Sequence, residues 1–61
     1  METRMLVTVP EAAVQLGVGR SFLYGLILRG DIGSLKLGRS RRIPVAELQR
    51  FIRERLQEAE G

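Results

Sequence analysis

The chain contains no cysteine, no histidine and no tryptophan, and its 61 residues include only three aromatic rings and two prolines. Without cysteine there is no disulfide staple, no thiol nucleophile and no thiolate metal site, and without histidine the commonest metal ligand and neutral-pH base is missing as well. A mini-domain built around zinc is excluded. No apolar run approaches the roughly 18 residues of a membrane span, and Met1-Glu2-Thr3-Arg4 lacks the basic and apolar blocks of a signal peptide, so a cytoplasmic protein without membrane contact is expected. A domain of this size buries only about 60% of the surface its unfolded chain exposes, which leaves one thin core and no deep substrate cavity. Enzymatic patterns are missing too. Ser21, Ser34 and Ser40 have no histidine to activate them, and Asp31 has no neighbouring carboxylate in sequence. Gly17-Val18-Gly19 starts like a dinucleotide fingerprint, but Phe22 stands where the third glycine belongs. The expectation is a non-enzyme with no catalytic residue, no metal and no cofactor.

What the chain does have is arginine. Nine of its ten cationic residues are Arg, and the formal charge is +3. The distribution is uneven: residues 1–19 and 43–61 each carry a net −1, whereas residues 20–42 hold Arg20, Arg29, Lys36, Arg39, Arg41 and Arg42 against Asp31 alone, a net +5. A solvated basic surface and a nucleic-acid footprint explain such a segment equally well on charge alone.

Local signals place the elements. Thr8-Val9-Pro10-Glu11 fits a capping box, and Val9, Ala12, Ala13 and Leu16 follow at helical spacing until Gly17, predicting a helix over about 9–16. After Gly17-Val18-Gly19, the apolar residues Leu23, Leu26 and Ile27 predict a second helix over about 20–29, with Gly30 as a left-handed cap. Two short helices across a tight glycine-containing connection form a helix-turn-helix. Leu35-Lys36-Leu37, the turn Gly38-Arg39-Ser40 and the return Arg41-Arg42-Ile43 predict a β-hairpin over about 35–43. Pro44 opens a last helix over about 45–58, in which Leu48, Phe51, Ile52 and Leu56 make the apolar stripe. Residues 1–5 are read as a flexible N-terminus and 6–58 as one domain. The predicted fold class is mostly α with a small hairpin wing: a winged helix-turn-helix of three helices.

The faces of these elements suggest chemistry. At about 100° per residue from Arg20, Leu23, Leu26 and Ile27 cluster on one side of helix 2, and Ser21, Tyr24, Gly25 and Leu28 on the other. The second stripe, edged by Arg20 and Arg29, suits a helix lying in a major groove with basic flanks on phosphates. Each member has a plainer alternative. Tyr24 covers the core edge or donates to a phosphate; Gly25 reflects drift or close packing; Leu28 is an ordinary exposed leucine, a thymine-methyl contact or a protomer contact. The hairpin holds Lys36, Gly38, Arg39, Ser40, Arg41 and Arg42, the densest charge in the chain, where edge-strand protection accounts for one or two arginines but poorly for three in four residues. Arg55 falls inside the apolar stripe of helix 3, either with its stem along the end of the core, the favoured reading, or against a partner.

Thr8-Val9-Pro10-Glu11-Ala12-Ala13, Leu16-Gly17-Val18, Arg20, Leu23-Tyr24, Leu26-Ile27, Gly30, Leu37-Gly38-Arg39 and Arg42-Ile43-Pro44 together resemble the excisionase-type DNA-binding family, a small MerR-like winged helix-turn-helix, over residues 6 to about 56. The resemblance implies that helix 2 enters the major groove through Arg20, Ser21 and Tyr24. It implies that Gly38, Arg39, Arg41 and Arg42 form a wing at the adjacent minor groove. Departures from the family pattern fall at Gly19, where Ser is usual, at Phe22, where Thr is favoured, and at Gly25 and Leu28, where polar or basic residues are usual. The implied function is sequence-specific binding of double-stranded DNA as an excisionase, a recombination directionality factor that bends attachment-site DNA and assists an integrase, with cooperative self-association on DNA. The implied setting is cytoplasmic and nucleoid-associated, for a bacterial or phage-encoded protein. A small MerR-like transcriptional regulator is the alternative within the class, and a protein-interaction module with a basic surface the alternative outside it. Six phosphate contacts would give a log–log salt slope near roughly −5.

Overall fold

In a computed structural model, residues 4–60 are described. The element order is β1 (Leu6–Thr8), α1 (Val9–Leu16), α2 (Arg20–Leu28), β2 (Leu35–Leu37), β3 (Ser40–Pro44) and α3 (Val45–Glu60). Three helices with a small antiparallel sheet make the expected winged helix-turn-helix, with one addition. The sheet has three strands in the order β1-β3-β2, because the segment just before α1 pairs with the hairpin. Val7 lies opposite Ile43 and Thr8 opposite Arg42. Three residues are too few to show a strand period, so nothing local announces β1.

Connections are short because single residues serve two elements. Thr8 ends β1 and caps α1: its hydroxyl accepts from the Glu11 N–H at 3.2 Å, and Glu11 returns a carboxylate oxygen to the Thr8 N–H at 2.8 Å. Gly17 closes α1 at φ 71°, and the Val18 N–H reaches back to the Ala13 carbonyl at 3.0 Å. A positive φ at this point is cheap only for glycine. Gly30, at φ 82°, ends α2 in the same way, and the Asp31 N–H donates to the Leu26 carbonyl at 2.9 Å. Pro44, expected to open the last helix, is instead the final residue of β3, and the helix begins at Val45. The Val45 N–H donates to the Met5 carbonyl at 2.9 Å, which extends the β1–β3 pairing to Met5. Of the segment read as a flexible N-terminus, residues 1–3 lie outside the described residues.

The core consists of Val7, Val9, Ala12, Ala13, Leu23, Leu26, Ile32, Ile43 and Leu48. The sheet contributes Val7 and Ile43, and the loop after α2 contributes Ile32. On α3 only Leu48 is fully buried; Phe51 is half-buried, while Ile52 and Leu56, the other members of its apolar stripe, are exposed. The cause is length. A 16-residue helix spans about 24 Å, so its second half runs past a core supplied by two short helices and three short strands. That overhang and the start of α2 form an open apolar groove of about 280 Å³ lined by Leu16, Val18, Phe22, Phe51, Ile52 and Leu56. No helix among the described residues is long and apolar enough to cross a membrane.

Candidate nucleic-acid interface

The helix expected to carry recognition has the two faces read from its periodicity. Leu23 and Leu26 are fully buried, whereas Arg20, Ser21, Tyr24, Leu28 and Arg29 are exposed, Leu28 at 86%. A Cβ added at Gly25 would meet nothing within 4 Å. Close packing inside the chain is therefore not what this glycine serves. The start of α2 has no side-chain cap, because Gly19 occupies the cap position with the ordinary extended geometry, φ −75° and ψ 160°. The first turn of α2 thus lacks a capping side chain for its N–H groups.

The wing is tighter than its charge density suggests. Leu37 pairs with Ser40, so the turn is only Gly38-Arg39, with positive φ at the glycine alone, the pattern of a type II′ hairpin turn. Arg39 stands at this tip. Ser40, Arg41 and Arg42 lie within β3, not in the loop, and alternate between its two faces. Arg41 is directly opposite Lys36. Facing like charges weaken an antiparallel pair, so this arrangement favours an anion between or beside them. Arg42 points to the other face, paired with Leu35 on one side and Thr8 on the other. The Arg41 guanidinium donates to the Ser34 hydroxyl at 2.7 Å, which fixes its direction.

Ion pairing sorts the cations by place. Arg4 meets Glu11 at 2.7 Å, Arg29 meets Asp31 at 3.2 Å, Arg50 meets Glu47 and Glu54 at 2.8 Å each, and Arg55 meets Glu58 at 3.2 Å and Asp31 at 3.5 Å. Among the described residues no carboxylate pairs with Arg20, Lys36, Arg39, Arg41, Arg42 or Arg53. Five of these six belong to α2 or the hairpin. Arg29, at the far end of α2, is engaged by Asp31 through its Nε as well, at 3.2 Å. The Arg55 guanidinium lies 4.8 Å from the centre of the Phe51 ring, a cation–π contact at the end of the apolar stripe.

The spacings of Glu47, Arg50 and Glu54 are those of ordinary exposed helix pairs, and the fold gives two of these residues a tertiary role as well. The Glu47 carboxylate accepts the Gly33 N–H at 2.7 Å, and Arg50 donates to the Asp31 carbonyl at 2.9 Å while its Nε donates to Glu47 at 3.0 Å. The Arg50 hydrogen bonds, and then the Gly33 amide, hold the Glu47 carboxyl down to about 2 from its ordinary 4.5. Glu11 is lowered as well, first by the Thr8 amide and then by Arg4. Spacings of three and four residues signal the helix pairs but not the loop they grip. Only the folded chain shows Asp31, the lone acid of the basic segment, between Arg29 and Arg55.

The match to the helix-turn-helix domain family covers residues 6–56. A probable excisionase of Saccharopolyspora erythraea is 52% identical over 44 residues, which are 72% of this chain and 45% of that relative. An excisionase of Streptomyces ambofaciens is 42% identical over 57 residues, 93% of this chain and 92% of that relative. The chain thus spans under half the length of the first and nearly all of the second. No solved structure gives a significant match. By the extent of these matches, and with the fold they require in place, the chain belongs to the excisionase-type family of helix-turn-helix DNA-binding proteins.

Proposed function

We propose that the chain binds double-stranded DNA as an excisionase, with α2 in the major groove and the β2–β3 hairpin at the neighbouring minor groove, and that it bends attachment-site DNA to assist an integrase. The observation that carries this reading is the segregation of ion pairs. The chain's own carboxylates pair with Arg4 ahead of β1, Arg29 at the far end of α2, and Arg50 and Arg55 on α3, whereas among the described residues Arg20, Lys36, Arg39, Arg41 and Arg42, with Arg53 of α3, have none. Unpaired guanidinium groups on a helix start and a hairpin suit phosphates and groove edges. Membership of the excisionase-type family supports the role in recombination. Ser21 and Tyr24 are the groove-facing side chains able to read base edges or anchor a phosphate; Gly25 permits close backbone approach, and Leu28 supplies an apolar contact. One domain of this size reads a short half-site, so several copies side by side, or an integrase alongside, supply the remaining affinity.

The test is duplex binding measured against salt. Five unpaired cations, each releasing counterions, give a log–log slope near roughly −4.5. Undetectable affinity for any duplex at low salt overturns the reading. A circular-permutation mobility assay on the selected site measures the bend, and excision in vitro with the partner integrase separates the recombination role from simple transcriptional regulation.

A further inference from the structure

The helix and the wing proposed to touch DNA have no extensive packing on each other; α1 packs on both, and the loop from Arg29 to Ser34 joins them directly. Besides the 3.5 Å ion pair of Asp31 with Arg55, two ties hold that loop. Ile32 is buried in the core, and α3 grips the main chain on either side of it: Arg50 takes the Asp31 carbonyl, and Glu47 takes the Gly33 N–H. Arg50 also binds both Glu47 oxygens, at 2.8 and 3.0 Å, so the two side chains act as a single clamp. The next residue, Ser34, accepts the Arg41 guanidinium at 2.7 Å. A continuous line of short hydrogen bonds therefore runs from α3 through Gly33 and Ser34 to a wing cation.

We propose that Glu47 and Arg50, on α3 and outside both elements, are positioning residues for DNA recognition that fix the wing relative to α2. The inference rests on the DNA-binding reading above. The loop offers no other polar side-chain tie to α3 at Gly33; without it the hairpin keeps its pairing with β1 and the packing of β3 on α1 and α3, but the loop that joins it to α2 is no longer held to α3 at that point. The clamp leaves the recognition face itself untouched. Its loss changes how many cations meet phosphate at once, not which cations are present.

Gly33 gives an independent way to open the clamp. A Cβ there would stand 2.8 Å from the Glu47 Oε1, so the carboxylate must swing away, while the φ of Gly33 is not in the left-handed region and alanine fits the backbone. The experiment measures affinity for a selected duplex, salt slope and melting temperature for wild type, Glu47→Ala, Gly33→Ala and Glu47→Gln. Glu47→Ala and Gly33→Ala are expected to bind about tenfold or more weakly, with slopes shallower by about 1.8, the loss of two wing contacts at roughly 0.9 each. Glu47→Gln keeps an acceptor for the Gly33 amide and is expected to stay within about threefold of wild type.

A purely structural role predicts another pattern: a lower melting temperature with an unchanged slope, because the folded fraction still makes every contact. That pattern in both Glu47→Ala and Gly33→Ala, or wild-type affinity in both, overturns the positioning role while leaving DNA binding intact. Failure of the wild type to bind any duplex overturns both. Residual dipolar couplings of α2 and hairpin amides without DNA supply a readout free of binding, and an unchanged relative orientation and order in Gly33→Ala also counts against the clamp.

Discussion

At the scale of single residues, the most informative position is one with no side chain. Glycine inside a helix costs about 1 kcal/mol relative to alanine, and Gly25 faces open space, so the chain itself has no need of it. Gly25→Ala is expected to raise the melting temperature by roughly 4–8 °C and to weaken duplex binding, since the added methyl lies on the proposed groove face. A thermal melt beside a binding titration checks both halves; a variant that is more stable and binds equally well removes Gly25 from the interface. Asp31 makes a second case. It is the single acid in the basic segment, and its carboxylate holds Arg29 at 3.2 Å and Arg55 at 3.5 Å. Asp31→Asn frees Arg29 for phosphate, so non-specific duplex affinity should rise and the salt slope steepen by about 0.9. An unchanged slope means that Arg29 does not reach the DNA.

At the scale of elements, the hairpin concentrates the argument. Arg39 at the turn and Arg41 opposite Lys36 have no carboxylate partner, so Arg39→Ala combined with Arg41→Ala should weaken binding to every sequence and flatten the slope by about 1.8. Discrimination among sites should persist in that variant, because α2, the element proposed to read the major groove, is unchanged. Equal binding by the double variant would place the wing off the DNA. The helices were legible because their signals are local: a capping box at Thr8 and Glu11, glycines at the left-handed ends of α1 and α2, and apolar spacing that separates Leu23 and Leu26 from Tyr24 and Leu28. Strand β1 was not, since three residues carry no period and its partner lies 36 positions away at Ile43. The apolar stripe of α3 pointed to a longer core than exists, because periodicity reports which way a residue faces and not whether anything covers it.

At the scale of the whole molecule, two depressed carboxylates link the fold to pH. Glu47, held down to about 2, and Glu11, lowered by the Thr8 amide and Arg4, titrate below their unfolded value of 4.5. The stability they contribute is complete above about pH 4.5 and is lost as pH falls toward 2, where the folded form must take up protons that the unfolded chain already binds. Melting temperatures between pH 2 and 7 should fall in that window, and Glu47→Gln should remove much of the slope; a flat profile in the wild type contradicts the clamp geometry. The sequence by itself determined the helices, their caps, the basic middle segment and the sidedness of α2, because each depends on neighbours within a few positions. Only the tertiary structure decided which cations are free. Glu47 reaches Gly33 across 14 positions and Arg50 reaches Asp31 across 19, and pairing over such distances depends on how helices and sheet pack, which no local spacing records.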